Sequence, residues 1–599
     1  VMEWKHDPLP QDRISAFSRE LGVSEVLAEL LLRVPLTTVD EARTFLEPKL
    51  SELIDPFRLA NLEAAAARLE VAVERGEAVS VFGDYDVDGV TSTALLVSVL
   101  RRFGLQPRYV VPRRLEEGYG MSREAIDRTL ELGRPDLFVA LDCGTNSVEE
   151  TAYLRDKGIE VIIVDHHRSK QGLPDDCLLV NPHVHDGGPA GLADLCTVGL
   201  VFKLVHGLLK KRRESGDARA FAIKLRDYLD LVAMGTVADL VPLLRENRIL
   251  ASHGLRILGT TERAGLRTLM EVSGMSLGEE PRPVDISFRL GPRINASGRL
   301  ADAAVSVDLL LSEDAGFCRT AAAQLEAFNR ERQEIEREIT ERAVEEVERR
   351  FADASGVVLY HEDWHPGVVG VVASRLTRRL HRPCIVLGRE GKLAKGSGRS
   401  IPGLNLVEVL SECRDLLESW GGHPMAVGVS LESIHVAEFQ SRFDRAVAAL
   451  PVGDLARPSI EIASWIPLDA VRDGLLEDLD RLHPFGQHNP EPVFGCRGVV
   501  FDTPPEVFKQ QHFRFQLHTL TGRRIFGVAW NMSDNVPPTG RPVDIAFQVQ
   551  WNRYNGRQFL QMELQGWRPA TAATSSTGFA GAARSFGARR PLQTRSRRP

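Results

Sequence analysis

Residues 81–91 read VFGDYDVDGVT and place Asp84, Asp86 and Asp88 at alternate positions just before Gly89. Carboxylates this close repel one another unless a cation lies among them. The sequence around the stretch decides the fold. AVSVF (78–82) leads into it as a short apolar run. Beyond it, amphipathic helical stretches (TSTALLVSVLRRFG, SREAIDRTLELG, EETAYLRDKG) alternate with further apolar runs (RYVVP, DLFVALDCG, EVIIVDHH). That alternation predicts βαβ units, an α/β fold with a parallel sheet covered by helices on both faces. The apolar runs do not alternate in and out, as expected for strands buried on both sides. In open sheets of this kind ligands bind beyond the carboxyl ends of the strands, where the three aspartates stand.

Working outward, residues 1–75 read as helical, in VSEVLAELLLRV and LANLEAAAARLEVAVERG, and 76–308 as the parallel-sheet domain. Residues 309–352, dense in Glu, Arg and Ala, predict one long connecting helix with Glu/Arg pairs on its exposed face. A second, smaller α/β domain follows over 353–452. Residues 453–568 turn β-rich, with strands separated by Gly, Pro and Asn, and suggest a small barrel of the oligonucleotide-binding type. The tail 569–599 is low-complexity, basic and free of acids, and is expected to be disordered.

A chain of 599 residues is too long for a single core. It is 43% hydrophobic and 26% charged with a net charge of −8, and has neither a bilayer-spanning run nor a signal-like start. Seven cysteines without a CxxC pair argue against a disulfide framework or a zinc ribbon and fit the cytoplasm. The acidic total leaves nucleic-acid binding open, because phosphate recognition depends on local clusters. Arg289, Arg293 and Arg299 form one such cluster, and Lys392, Lys395 and Arg399 another; each reads equally as a solvated surface.

Three sites fit three alternating aspartates. A calcium loop of the EF-hand kind needs a bidentate Glu at loop position twelve and an entering helix. Here that position is Leu95 and the entering segment is a strand. A phosphatase of the haloacid dehalogenase type uses a strand followed by DxDG[TV], with Asp86 as nucleophile and Asp88 as acid/base. DVDGVT fits locally, but the later strand ends carry DCG and DHH where that enzyme needs a lysine and an acidic pair. The third reading takes the strand ends together: Asp84, Asp86 and Asp88, then Asp142, then Asp165, His166 and His167, with Asp239 supplied by LVAMGTVADLVPL (231–243). Hard carboxylates with an imidazole suit Mn²⁺ or Mg²⁺. So many carboxylates converging call for about two divalent ions.

With DYDVDG, DCG, DHH and GTVAD in that order, the sequence resembles the DHH phosphoesterase superfamily, and within it the single-strand-specific 5′→3′ exonuclease branch. WHPGVVGVVASRL (364–376), KGSGRS (395–400) and GGHPMAVG (421–428) resemble the associated DHHA1 domain. GPRINASGRL (291–300) and PFGQHNPEPVF (484–494) also match that branch, the latter at the start of its barrel. The resemblance implies that Asp86, Asp88, Asp142, His166 and Asp239 bind two metal ions, with Asp142 bridging. Asp84 is either a ligand or a supporting residue. Many relatives carry a histidine where this chain has Phe82, which leaves the ligand set of one metal open. His167 would face the scissile phosphate. Two ions sharing a water lower its pKa towards neutrality, and the hydroxide attacks phosphorus in line.

Directionality requires a stop for the 5′ phosphate. The KGSGRS stretch, read as a glycine-flexed loop, offers Ser397, the Gly398 backbone and Arg399, joined by Asn295 and Arg299 from the first domain. Arg293 and Lys395 are further candidates for DNA contact. Trp530, Trp551 and Tyr554 either stack on bases or fill the barrel core. The implied activity is release of 5′-mononucleotides from single-stranded DNA in repair and recombination, by a monomer alongside single-stranded-DNA-binding protein and a DNA helicase. Another DHH phosphodiesterase or oligoribonuclease, a phosphatase, and a non-catalytic DNA-binding scaffold are the competing readings.

Overall fold

The structure, a computed structural model, describes residues 2–113, 117, 120–169, 172–184, 188–189, 191–450, 459–554 and 557–570. The basic tail beyond 570 and the Tyr554 side chain lie outside the described residues. The chain divides into two units, Val1–Ser459 with Glu477–Glu491, and Ile460–Leu476 with Pro492–Pro599.

The first unit begins with a short strand, Glu3–Lys5, where helix alone was expected, and continues through helices Gln11–Leu21, Glu25–Leu31, Val39–Leu46 and Leu62–Arg75. The last of these stops at Gly76, whose φ of +66° suits a residue without Cβ. Five strands then form a parallel sheet: β1 Val79–Gly83, β2 Arg108–Val110, β3 Leu137–Leu141, β4 Glu160–Val164 and β5 Leu178–Val180. Three-residue β5 was not anticipated. The order β2-β1-β3-β4-β5 reverses between β1 and β3, which opens a crevice at their carboxyl ends.

Burial on both faces follows from the unbroken apolar runs. Val81, Val139, Leu141, Ile162 and Val164 join one core, with helices α1 Val87–Arg102, α4 Thr197–Glu214 and α5 Leu229–Ala238. Phe82, Phe138, Ala140 and Ile163 face the other way, onto α2 Arg123–Glu131 and α3 Val148–Asp156. Phe82 is fully buried and stacks on Phe138 at 5.9 Å, so this position belongs here to the core.

Helix α6, Gly291–Leu300, follows a π turn at Ile286–Leu290. The connecting helix is α7, Ala315–Arg350, rather than 309–352. Residues up to Leu311 end a separate helix, and Asp314 accepts from Phe317 N to cap the new one. At 36 residues α7 is about 54 Å long. Ala321, Ala322 and Leu325 enter the first core, and Ile339, Ala343, Val344 and Val347 the core of the following α/β region. Arg330–Glu326, Arg337–Glu341 and Arg350–Glu346 pair along its outer face.

That following region holds β6 Val357–Tyr360, α8 Val369–Leu380, β7 Cys384–Glu390, β8 Leu393–Arg399, β9 Ser419–His423 and β10 Ala426–Glu432. The strands lie in the order β9-β10-β8-β7-β6, parallel only between β6 and β7. KGSGRS is therefore strand, not a glycine-flexed loop. Its glycines serve close approach: a Cβ at Gly396 would stand 2.0 Å from Val386 O, and one at Gly398 would meet Val427 and Ile385.

The helix Arg245–Gly259 fastens distant segments to the first unit. Glu246 and Lys203 form a buried ion pair that also bonds Ile54 through its N–H and C=O. Arg248 is fully buried and donates to backbone carbonyls at Phe45 and at Arg481, Leu482, His483 and Pro484. Two of those carbonyls also accept from Asn489, within the PFGQHNPEPVF stretch.

In the second unit β11 Ser464–Trp465, β12 Phe494–Val500, β13 Glu506–Phe508, β14 His512–His518, β15 Arg524–Ala529, β16 Pro542–Tyr554 and β17 Arg557–Pro569 form one sheet. The order is β11-β12-β16-β17-β15-β14-β13, with Phe494, Phe501, Phe513 and Phe547 fully buried. Among the described residues no helix is long and apolar enough to cross a membrane, and the cysteines are free thiols.

Candidate metal centre

The carboxyl ends of β1, β3 and β4 meet the end of α5 at the crevice. After β1 the chain turns into α1 with Asp86 as N-cap, its Oδ1 accepting from Gly89 N at 3.1 Å. A Cβ at Gly83 would lie 1.9 Å from Thr93 Oγ1, so only glycine lets the helix fold back so tightly over the strand. Asp142 follows β3 with φ +64°, a left-handed backbone that aspartate tolerates better than most residues and that marks strain held at a site. Thr197 Oγ1 donates to Asp142 Oδ1 at 2.8 Å. Asp88 accepts from the first amides of α4, Thr197 N at 2.7 Å and Val198 N at 2.8 Å, so a helix N-terminus holds this carboxylate in place.

His166 Nε2 lies 3.6 Å from Asp142 Oδ1, 3.5 Å from Asp239 Oδ2 and 4.0 Å from Asp88 Oδ2. It is buried and has no hydrogen-bond partner. Three sets of donor atoms lie within 4.8 Å of one another: Asp84/Asp86/Asp142, Asp88/His166/Asp239 and Asp142/His166/His167. The sequence offers all of these as candidate donors except His167, which it places facing the phosphate; Asp84, whose role was open, groups with Asp86 and Asp142.

The electrostatics call for positive charge. Burial, then the charges of Asp88, Asp86, Asp84 and Asp239, push the Asp142 carboxyl well above the usual range. Burial and Asp86 raise Asp88 to about 7 despite the α4 amides; burial, Asp88 and Asp86 raise Asp239 to about 9. Burial, then the charges of His167, His183 and His423, hold His166 down at about 4 against the pull of Asp165. A neutral imidazole with an orphaned nitrogen among crowded carboxylates fits hard divalent cations.

His167 differs. Its Nδ1 is 2.7 Å from Asp165 Oδ1. Burial opposes its charge, but that hydrogen bond and the charges of Asp165, Asp239 and Asp84 outweigh it and raise His167 to about 9. Asp165 also accepts from Thr145 N and from the amides of His166 and His167, and Asn181 Nδ2 donates to His167 O.

The remaining candidates fall into groups. Arg299 Nη1 donates to Gly367 O at 2.7 Å, and a Cβ at Gly370 would stand 3.2 Å from Ser397 Oγ and 3.6 Å from Arg399 Nη2. These three side chains thus flank the start of α8. Asn295, on α6 with Arg299, has a buried Oδ1 without a hydrogen-bond partner. Gly398 pairs with Ile385 on one side and Val427 on the other, which engages its backbone in the sheet. Arg293 is held by Glu326 at 2.6 Å and Lys395 by Glu390 at 2.7 Å. Trp530 is partly exposed, edge-on to Phe508 and His512. Trp551 lines a cavity of about 850 Å³ with Phe526, Phe559 and Arg524.

Thr197, Val198 and His423 were not selected from the sequence, and Asp165 was grouped with the strand-end donors rather than read as the partner of His167. The first two left one signal: α4 starts at Cys196 without a capping side chain of its own, so its orphan amides needed an acceptor from elsewhere.

A parallel sheet with acidic strand ends and a histidine pair defines a DHH-type chain. The DHH family, N-terminal domain, matches residues 78–236, the DHHA1 domain 353–449 and the RecJ OB domain 462–566. The single-stranded-DNA-specific exonuclease RecJ of Bacillus subtilis is 34% identical over 570 residues, covering 94% of this chain and 70% of that protein. The Escherichia coli protein of that name is 36% identical over 537 residues, covering 86% and 91%. The crystal structure of RecJ from Thermus thermophilus in complex with Mn²⁺ is similar with a TM-score of 0.78 at 28% identity, over 95% of this chain and 80% of that one. The chain belongs to the RecJ family.

Proposed function

We propose that this chain is a metal-dependent exonuclease specific for single-stranded DNA, working 5′→3′ and releasing 5′-mononucleotides. The observation that carries the reading is the pair of donor triads without a shared residue, Asp84/Asp86/Asp142 and Asp88/His166/Asp239, at the switch point of the sheet. They suit two divalent cations, Mn²⁺ before Mg²⁺. Bound there, the cations supply Lewis acidity at the phosphoryl oxygens and lower the pKa of the attacking water.

The residues around them fix geometry. Thr197 and the α4 amides hold Asp142 and Asp88 so that neither carboxylate must reorganise during reaction. Asp165, by engaging Nδ1, orients the His167 ring to donate from Nε2 to a nonbridging phosphate oxygen. Arg299, Ser397 and Arg399, around the N-terminus of α8, suit a terminal phosphate. Gripping that phosphate sets the direction of travel. A single-strand substrate inside the cytoplasm presupposes a helicase to unwind duplex, and brings the enzyme against single-stranded-DNA-binding protein.

The test is degradation of strands labelled at either end with Mn²⁺ present. Mononucleotide should leave first from the 5′ label; early release from the 3′ label rejects the direction, and release of inorganic phosphate alone rejects the exonuclease. Arg399→Ala should reduce the preference for 5′-phosphate over 5′-hydroxyl ends by about 10- to 100-fold, the worth of one or two charge-assisted hydrogen bonds. Unchanged discrimination in that variant removes the phosphate stop from β8.

A further inference from the structure

Two large apolar side chains, on segments that border the candidate metal centre, stand in water at positions where the fold does not require them. Leu240 directly follows Asp239, is 64% exposed and has φ +59°. It sits just past the C-cap of α5, where a left-handed backbone favours Gly or Asn and strains a residue carrying a branched side chain. Phe288 is 70% exposed on the π turn Ile286–Leu290 that leads into α6. Turns of this type occur often at functional sites. Neither side chain joins the cores of the parallel-sheet domain.

The two elements meet at the metal centre. A Cβ built on Gly291, one residue beyond the π turn, would stand 3.6 Å from Val87 Cγ2 and 3.9 Å from Ala238 Cβ. Val87 lies between Asp86 and Asp88, and Ala238 precedes Asp239. Val284, one helical turn before Phe288, is also exposed, and Arg289 pairs with Asp285 at 3.5 Å on the same turn.

We infer that Leu240 and Phe288 form the surface that receives the nucleobases of the substrate strand as its phosphates reach the metal centre. The inference rests on the exonuclease reading and names how that site meets bases. Donors to phosphate alone treat single and double strands alike. An apolar surface beside them rewards bases that are unstacked, which duplex withholds. Strain at Leu240 and hydration of Phe288 are then the cost of keeping that surface ready.

The experiment compares wild type, Leu240→Gly and Phe288→Ala on two 5′-phosphorylated 12-mers, one intact and one with abasic sites at its first three positions. Binding is measured in EDTA and cleavage in Mn²⁺. Each variant should bind the intact strand about 10-fold more weakly, the effect of losing a stacked base, and raise its KM in proportion. On the abasic strand variant and wild type should be equal. Leu240→Gly should melt at or above the wild-type temperature, since glycine relieves the backbone. Equal penalties on both strands, no penalty on either, or lower melting temperatures in both variants overturn the inference. Wild type that binds the strands yet cleaves neither rejects the exonuclease reading instead, and leaves the binding comparison to decide this one.

Discussion

Asp142→Asn is expected to lower strand degradation by about 10³-fold or more, while making the metal-free protein more resistant to heat. The side chain is 2% exposed and its carboxyl is pushed up by burial and by four neighbouring carboxylates. Asparagine keeps the size, tolerates φ +64° and can still accept from Thr197 Oγ1. What it removes is charge, which in metal-free protein is repulsive. With Mn²⁺ the order reverses. Cation at about 100 times its Kd stabilises wild type by ~2.7 kcal/mol, a rise of roughly 3 °C in the melting temperature of a unit this large, and the variant gains much less. Losing a donor of the Asp84/Asp86/Asp142 set would remove several kcal/mol of transition-state stabilisation, hence the predicted fall in rate. Melting curves in EDTA and in Mn²⁺, beside degradation of a labelled strand, read both effects. Wild-type activity in the variant, or a metal-free variant less stable than wild type, sinks the assignment of Asp142.

The candidate metal centre was legible because each of its members stands at the end of an apolar run. In a sheet buried on both faces a strand has no polar face, so a cluster of Asp and His marks where it leaves the core. Asp86, Asp88, Asp142 and His166 carry that mark, while Asp239 stands at the end of an apolar helix, α5. KGSGRS misled for a physical reason: glycine in a turn and glycine beneath a crossing carbonyl look the same in sequence, and only Val386 O above Gly396 separates them. The amides of Thr197 and Val198 left only an indirect signal, a helix start without a capping side chain, because a backbone donor has no letter. Asp165 stood within a motif already noted, but its work is aimed at His167, and positioning leaves no spacing to read. The segment 477–491 shows the same limit at larger scale. PFGQHNPEPVF (484–494) reads as the entry to the barrel domain and falls within the OB match, yet the carbonyls of 481–484 are bonded within the first unit.

Arg248 is the residue on which that last attachment turns. In its own helix it reads as an ordinary cation, since nothing nearby announces a partner 234 positions away. Its guanidinium is fully buried, lies 3.5 Å from the Phe45 ring centroid and donates to the carbonyls of Phe45, Arg481, Leu482, His483 and Pro484. A planar fork of five N–H donors matches such a set, whereas an ammonium on a flexible stem does not. Asn489 gives second donors to Leu482 O and Pro484 O, so those two stay satisfied when the arginine goes. The carbonyls of Phe45, Arg481 and His483 lose the bonds recorded to Arg248, each at about 1–3 kcal/mol if water stays out. Partial relaxation leaves an expected loss of about 4 kcal/mol for Arg248→Ala, among the larger single-residue effects. Arg248→Lys keeps the charge without the fork and should lose more than half as much. The readouts are the melting transition of the first unit and the rate of limited proteolysis between residues 477 and 491, both against a strand-degradation assay. Metal-centre chemistry on short oligonucleotides should survive at temperatures where the variants remain folded. A lysine variant as stable as wild type, with the 477–491 segment equally protected, would show that charge rather than the guanidinium fork holds the segment down.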